Sequence, residues 1–266
     1  LKAAEKFAVL KAGRRVWAVA SIHGEAARLR QIHEGLTERF MPGDRLAYLG
    51  NYLGRGTQIR ETLDELLRFR RILIAAPRMF ASDVAYLRGG QEEMWQKLLQ
   101  LQFAPNPREV LGWMLQNGVE ATLMAYGGDP QQAAAAARDG AVSITRWTNQ
   151  MRNAMQASPG HYALMSALRR AAYTADGTLL FVSAGIDPER PLPAQADALW
   201  WGSSAFVRME QPYGGFRRVV RGYDRGHGGL KIDRFTATVD GGAGFGGPLL
   251  AGCFDHSGEL VDMIEA

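Results

Sequence analysis

Leu46-Ala-Tyr-Leu-Gly50-Asn51-Tyr-Leu-Gly54-Arg55 is the stretch that decides how this chain is read. A short apolar run stops at Gly50, and a loop carrying Asn51, Gly54, Arg55 and Gly56 follows. Gln58–Arg70 then takes up a helical period. Strand, tight glycine loop and helix are how an α/β fold presents polar groups at the carboxyl edge of a sheet. The loop has the shape of a chemical site but lacks its acids: an amide stands at position 51 and a glycine at 54.

Upstream, Arg15–Ser21 alternates and is rich in Val and Ala, which predicts a strand. Glu25–Phe40 places Ala26, Leu29, Ile32 and Leu36 at helical spacing. Downstream, Arg71–Ala76 reads as a third strand ended by Pro77, so the order βαβαβ predicts parallel pairing with right-handed crossovers. Leu1–Arg15 reads as a lead-in helix, with a domain running from 15 to 266. Residues 103–160 change texture: they are helical, broken by Pro105, Pro107 and Pro130, and read as a helical insertion. Its alanine run, Ala133–Ala137, has high helix propensity and little bulk, and reads as a solvent-facing helix. After Asp176-Gly177, a hairpin signal, strands are expected at Phe216–Arg221, Lys231–Val239, Leu249–Asp255 and Glu259–Ile264. The second half is therefore mixed or antiparallel β.

Composition sets outer bounds. The 266 residues carry a formal net charge of +4, with 47% hydrophobic and 22% charged residues. That is ordinary for a globular protein and too weakly basic to imply nucleic acid. The single cysteine, Cys253, sits in an apolar run and excludes an intrachain disulfide. No segment is apolar for long enough to span a bilayer. The first fifteen residues lack a signal peptide's long apolar core and cleavage site, so a cytoplasmic protein is expected.

Polar loops recur at strand ends: Ser21-Ile-His23-Gly24, Gly50-Asn51-Tyr-Leu-Gly54-Arg55-Gly56, Arg88-Gly89-Gly90-Gln91-Glu92, Val182-Ser183-Ala-Gly185 and Arg221-Gly222-Tyr223-Asp224. A tail, Asp240-Gly-Gly-Ala-Gly-Phe-Gly-Gly247, closes the set. In this order and spacing the chain resembles the calcineurin-like metallophosphoesterases, in particular the bacterial branch of the Ser/Thr phosphoprotein phosphatases, from about Val16 to Met263. The resemblance implies a β-sandwich flanked by helices. It also implies a reaction in which two divalent metals, bridged by an aspartate and a hydroxide, hydrolyse a phosphate ester.

Against that pattern the departures are systematic. Ser21 stands for the first Asp, although His23 is kept. Asn51 stands for the bridging Asp and Gly54 for the second Asp, although Arg55 is kept. Gly90 and Gln91 replace the metal-binding Asn and the general-acid His. Ser183 replaces a His, and Arg221 and Tyr223 replace two more. The Trp-x-Arg clamp becomes Trp201-Gly202-Ser203. Of the usual metal ligands only His23 survives. Two divalent ions need anionic and imidazole compensation that these residues do not offer, and Arg221 would add repulsion. No metal or other cofactor is expected, and no catalytic residue.

The expected function is a catalytically inactive, phosphatase-like binding or regulatory module. Its vacated pocket, lined by His23, Arg55, Arg88 and Arg221, would accept an anionic or phosphorylated ligand or a protein partner. Two alternatives stay open: a phosphoesterase with a non-standard or single-metal site, and an interaction scaffold whose pocket is packed shut by Arg221 and Tyr223. Several features have simpler readings. Gly242–Gly247 fits G-x-G-x-x-G but precedes a proline and a strand, so it is no dinucleotide fingerprint. Glu92-Glu93 reads as helix-dipole compensation, and Trp200-Trp201 as core. No carboxylate is evident that would orient His23 for nucleophilic catalysis with Ser21 or Ser183.

Overall fold

A computed structural model describes residues 6–11 and 13–266. Two sheets face each other with helices outside. The five-stranded sheet has the order β11-β10-β2-β3-β4: β2 is Arg15–Val19, β3 Arg45–Tyr48, β4 Val84–Tyr86, β10 Leu250–Asp255 and β11 Leu260–Glu265. The six-stranded sheet has the order β1-β5-β6-β7-β9-β8: β1 is Phe7–Leu10, β5 Ala171–Thr174, β6 Leu179–Val182, β7 Arg218–Arg221, β8 Gly229–Ile232 and β9 Thr236–Asp240.

Strands β2, β3 and β4 pair in parallel, as the βαβαβ reading requires. The crossovers are α1 (Ala26–Arg39) and α2 (Ile59–Ala75). The third strand, however, is not Arg71–Ala76. Those residues continue α2 up to Ala75, and β4 begins only at Val84. An apolar run of Ile and Leu at a helix end cannot be told from a strand by composition, and the helical period set upstream carried through it. The lead-in helix is corrected too. Phe7–Leu10 is β1, pairing in parallel with β5, so the second sheet begins before the predicted domain boundary at 15. Residues 1–5 of that predicted helix lie outside the described residues. Lys231–Val239 is likewise two strands: β8 and β9 form a hairpin rather than one continuous strand.

The stretch read as an insertion is helical. It contains α4 (Pro107–Met114), a π-helical turn at Leu115–Val119, α5 (Glu120–Ala125), α6 (Pro130–Asp139) and α7 (Ala141–Gln156). Two of these starts have an evident cause. The Asn106 and Asp129 side chains accept from the backbone N–H of Glu109 and Gln131, and proline occupies the first helical position in both. The alanine run does not face solvent. Ala133, Ala136 and Ala137 are buried, because small side chains let α6 pack closely on its neighbours. The buried core is led by Trp17, Tyr48, Tyr52, Phe181 and Phe254, and Cys253 is buried in it. Among the described residues, no helix is long and apolar enough to cross a membrane.

Candidate functional site

The loops that leave the carboxyl ends of β2, β3, β4, β6 and β7 meet at one place. Backbone bonds hold them in register. The Asn51 carbonyl accepts from the N–H groups of Ile22 and His23, and the Ser183 carbonyl from those of Gly222 and Tyr223. His23, Asn51 and Arg55 all have positive φ, at 51°, 54° and 63°. Outside glycine this is uncommon and characteristic of tight, functionally placed turns. The loops quoted from the sequence therefore form one site.

Hydrogen bonds fix its side chains. The Asn51 amide is fixed at both ends: its Nδ2 donates to Ser21 Oγ at 3.0 Å, and its Oδ1 accepts from the Gln91 N–H at 3.0 Å. Glu92, at the start of α3 (Gly90–Leu98), is buried. Its carboxylate accepts from the backbone N–H groups of Asn51 (2.8 Å), Gly89 (2.8 Å) and Leu53 (3.1 Å). Glu92 thus does more than complement a helix dipole: it staples two loops together. Burial raises its carboxyl above the usual range, and the donated N–H bonds offset that only in part.

Gln91 fills the space beside Gly54. A Cβ on Gly54 would lie 2.1 Å from the Gln91 amide oxygen, and φ at Gly54 is 80°. The Gln91 Nε2 donates to the Asn117 carbonyl at 2.8 Å, the Gly54 N–H to Thr122 Oγ1 at 3.0 Å and the Arg55 N–H to the Gly118 carbonyl at 3.2 Å. These bonds fasten the π-helical turn of the insertion onto the loop. Gly118, with φ 104°, is needed at that contact: a Cβ there would lie 2.8 Å from the Arg55 side chain. At Gly90, the space a larger side chain would take is met by the Trp201 ring, 2.8 Å from a built Cβ. Trp113 of α4 packs edge-on against Trp201 at 5.7 Å. Gly54→Asp is therefore expected to destabilise the fold by about 1–3 kcal/mol, from backbone strain and overpacking. Urea unfolding should show part of that loss recovered when Gln91→Ala is added. Equal losses in the single and double variants would mean that Gln91 is not what fills the position.

Arg221 is buried and spoken for. Its Nε donates to Thr238 Oγ1 at 2.9 Å, its guanidinium pairs with Asp224 at 2.9 Å, and it lies 4.6 Å over the Phe206 ring. Burial lowers its pKa, and Asp224 opposes that shift. Arg88 leaves the constellation altogether. It turns to Glu93, at 3.4 Å, and to Gln96 on the far side of α3. Both corrections share a cause: the carboxylates that neutralise these arginines lie three and five residues further along the chain, one in a loop and one on a helix, where side-chain direction cannot be read from sequence.

His23 is buried, only 2% exposed. Burial, joined by the Arg55 guanidinium, pushes its pKa down to about 3; the Leu53 carbonyl offsets this only in part. The ring meets Tyr223 and Phe245 edge-on, with centroids at 6.0 and 5.4 Å. Ser183 Oγ is buried without a partner. Phe245 closes the site from outside: it meets the Arg55 guanidinium 4.2 Å from its centroid and the His227 ring at 3.9 Å. His227 Nδ1 bonds Asp240 Oδ2 at 2.9 Å, and that buried carboxylate also accepts from the N–H groups of Asp224 and Gly242.

Sequence reasoning missed His227, Asp240 as an anchor, and Phe245. The Asp240–Gly247 pattern gave the only signal for the last two, and nothing marked His227. Arg55 alone of the four predicted anion contacts keeps an exposed cationic side chain at the site, with no carboxylate within ion-pair distance among the described residues. Beside it a cavity of about 650 Å³ opens towards Thr57, Glu120 and Met124. Among the described residues, no three His, Cys, Asp or Glu side chains are placed to hold a metal ion.

Comparison with solved structures agrees with this architecture. A protein described as a diadenosine tetraphosphatase superposes with a TM-score of 0.56 over 98% of both chains at 16% identity. A cold-active protein tyrosine phosphatase gives a TM-score of 0.56 over 98% of this chain and 82% of its own, at 13% identity. The cold-active protein tyrosine phosphatase of the psychrophile Shewanella sp. gives 0.53 over 96% and 81%, at 14% identity. The chain thus has a mixed α/β, two-sheet fold that it shares with these phosphatases. No protein-family model and no curated protein matches the sequence.

Proposed function

We propose that this chain is a pseudophosphatase: a phosphatase-fold protein that acts by binding and does not hydrolyse phosphate esters through a dinuclear metal centre. The observation that carries the reading is the Asn51 amide, fixed between Ser21 and Gln91, so that an N–H donor stands where a bridging carboxylate would be needed. The donor set does not fit two divalent cations. It offers one buried imidazole and no free carboxylate, and it includes a buried guanidinium. The volumes beside Gly54 and Gly90 are taken up by Gln91 and Trp201. With Gln91 in place of an imidazole, no acid is positioned for a leaving group.

Of the readings open from sequence, a closed centre is better supported than an anion cradle lined by three arginines, because Arg88 and Arg221 are already paired. Arg55 at the rim remains the one arginine of that set suited to an anionic group on a partner. The test is elemental analysis of protein incubated with Mn, Fe and Zn salts, combined with a p-nitrophenyl phosphate assay. Substoichiometric metal and no turnover are expected. Stoichiometric metal, with turnover abolished by Asn51→Ala, would overturn the proposal.

A further inference from the structure

The cavity that Arg88 does line is a different one. It measures about 350 Å³, at the small end of ligand pockets, and lies between α3 and the helices α7 and α8 (His161–Ala167). Trp95, Met155 and Met165 form an apolar wall, and Arg88, Arg152 and Ser166 contribute polar groups. The indole N–H of Trp95 is buried without an acceptor. Arg152 donates only to neutral oxygens, the Leu99 carbonyl at 3.0 Å and the Asn149 side chain. It has no carboxylate within ion-pair distance among the described residues. Arg88 already has Glu93. The one carboxylate in the wall, Glu92, is committed to the backbone N–H groups of Asn51, Leu53 and Gly89.

We infer that this cavity is a binding site for a small amphipathic carboxylate, separate from the Asn51 site. One uncompensated guanidinium matches a monoanion. Its planar fork suits a carboxylate, and the thioether and indole wall suits an apolar body and disfavours a dianion such as phosphate. Asn51, Gly54 and Arg55 do not line this cavity, so the site can be tested independently of the proposal about catalysis.

Isothermal titration with octanoate, with 1-octanol as the neutral control, reads the site directly. Octanoate should bind saturably, and 1-octanol at least about tenfold more weakly. Arg152→Gln should weaken octanoate binding about tenfold or more, the scale of one lost charge-assisted contact. Ser166→Trp, an exposed position on α8, should abolish binding by filling the cavity. Arg55→Ala, at the other site, should leave it unchanged. Circular dichroism melts establish that each variant is folded. No saturable octanoate binding to the wild type, octanol binding equal to octanoate, or unchanged affinity in both Arg152→Gln and Ser166→Trp would each overturn the inference.

Discussion

Glu92→Ala should lower the unfolding free energy by about 3–5 kcal/mol, the scale of breaking a buried charged hydrogen-bond cluster. Three backbone N–H groups, of Asn51, Leu53 and Gly89, have the Glu92 carboxylate as acceptor. They lie in two different loops, and water cannot replace the acceptor where the side chain is 1% exposed. Removing it leaves three buried donors unpaired and lets the two loops separate. For a chain of this size the melting temperature should fall by roughly 10 °C. Urea unfolding followed by circular dichroism measures the loss, and a change below about 1 kcal/mol would mean that Glu92 does not staple the loops. Glu92→Gln should cost less, because its carbonyl oxygen retains part of the acceptor capacity.

The second large effect is on the acid limb of stability. His23 is held neutral in the fold, with its pKa pushed down to about 3 from the ordinary 6.5. Between those values the unfolded chain binds a proton that the folded chain refuses. Stability therefore rises with pH through this window: it falls as pH drops from about 6.5 towards 3 and levels off below it. One such group contributes a slope of about 1.4 kcal/mol per pH unit. Glu65 adds to the same limb over a lower range. Its pairing with His33 and Arg68 outweighs burial and brings its pKa down to about 2, so its contribution is present above the ordinary 4.5 and lost as pH falls towards 2. His23→Leu removes only the first contribution. The difference in slope between wild type and variant, from urea unfolding at stepped pH, should therefore approach one proton between pH 6 and pH 4. The slope is the readout because residue 23 sits at φ 51°, where any replacement also changes the backbone energy. Parallel slopes would show that His23 titrates normally.

Both effects lie in loops whose shape could be read in the sequence and whose contents could not. Gly50, Asn51, Gly54 and Arg55 announce a turn at a strand end, and the structure has that turn, with its expected parallel strands on either side. Nothing local says that Gln91, far along the chain, occupies the space beside Gly54 while its amide holds the Asn117 carbonyl. Arg88 shows the same limit from the other side. Its position in a site loop predicted a contact with the pocket, but its rotamer carries it to Glu93 and Gln96. The strand predicted at Arg71–Ala76 and the lead-in helix predicted over Phe7–Leu10 failed for a related reason. Short apolar runs take the secondary structure of what they pack against or continue, and their own pattern is too brief to specify it.

By itself the sequence determined the βαβαβ half, the helical stretch after residue 103 and the scarcity of acidic and imidazole groups in the site loops. These depend on periodicity, turn chemistry and residue identity, which are local and additive along the chain. Only the tertiary structure decided how the side chains of those loops are paired. Asn51 is locked between Ser21 and Gln91, Arg221 is neutralised by Asp224, Phe245 closes over His23, and Arg152 is left facing a separate cavity. Those outcomes depend on which side chains meet across loops and helices far apart in sequence, and burial then fixes whether each charge is paired, silenced or free.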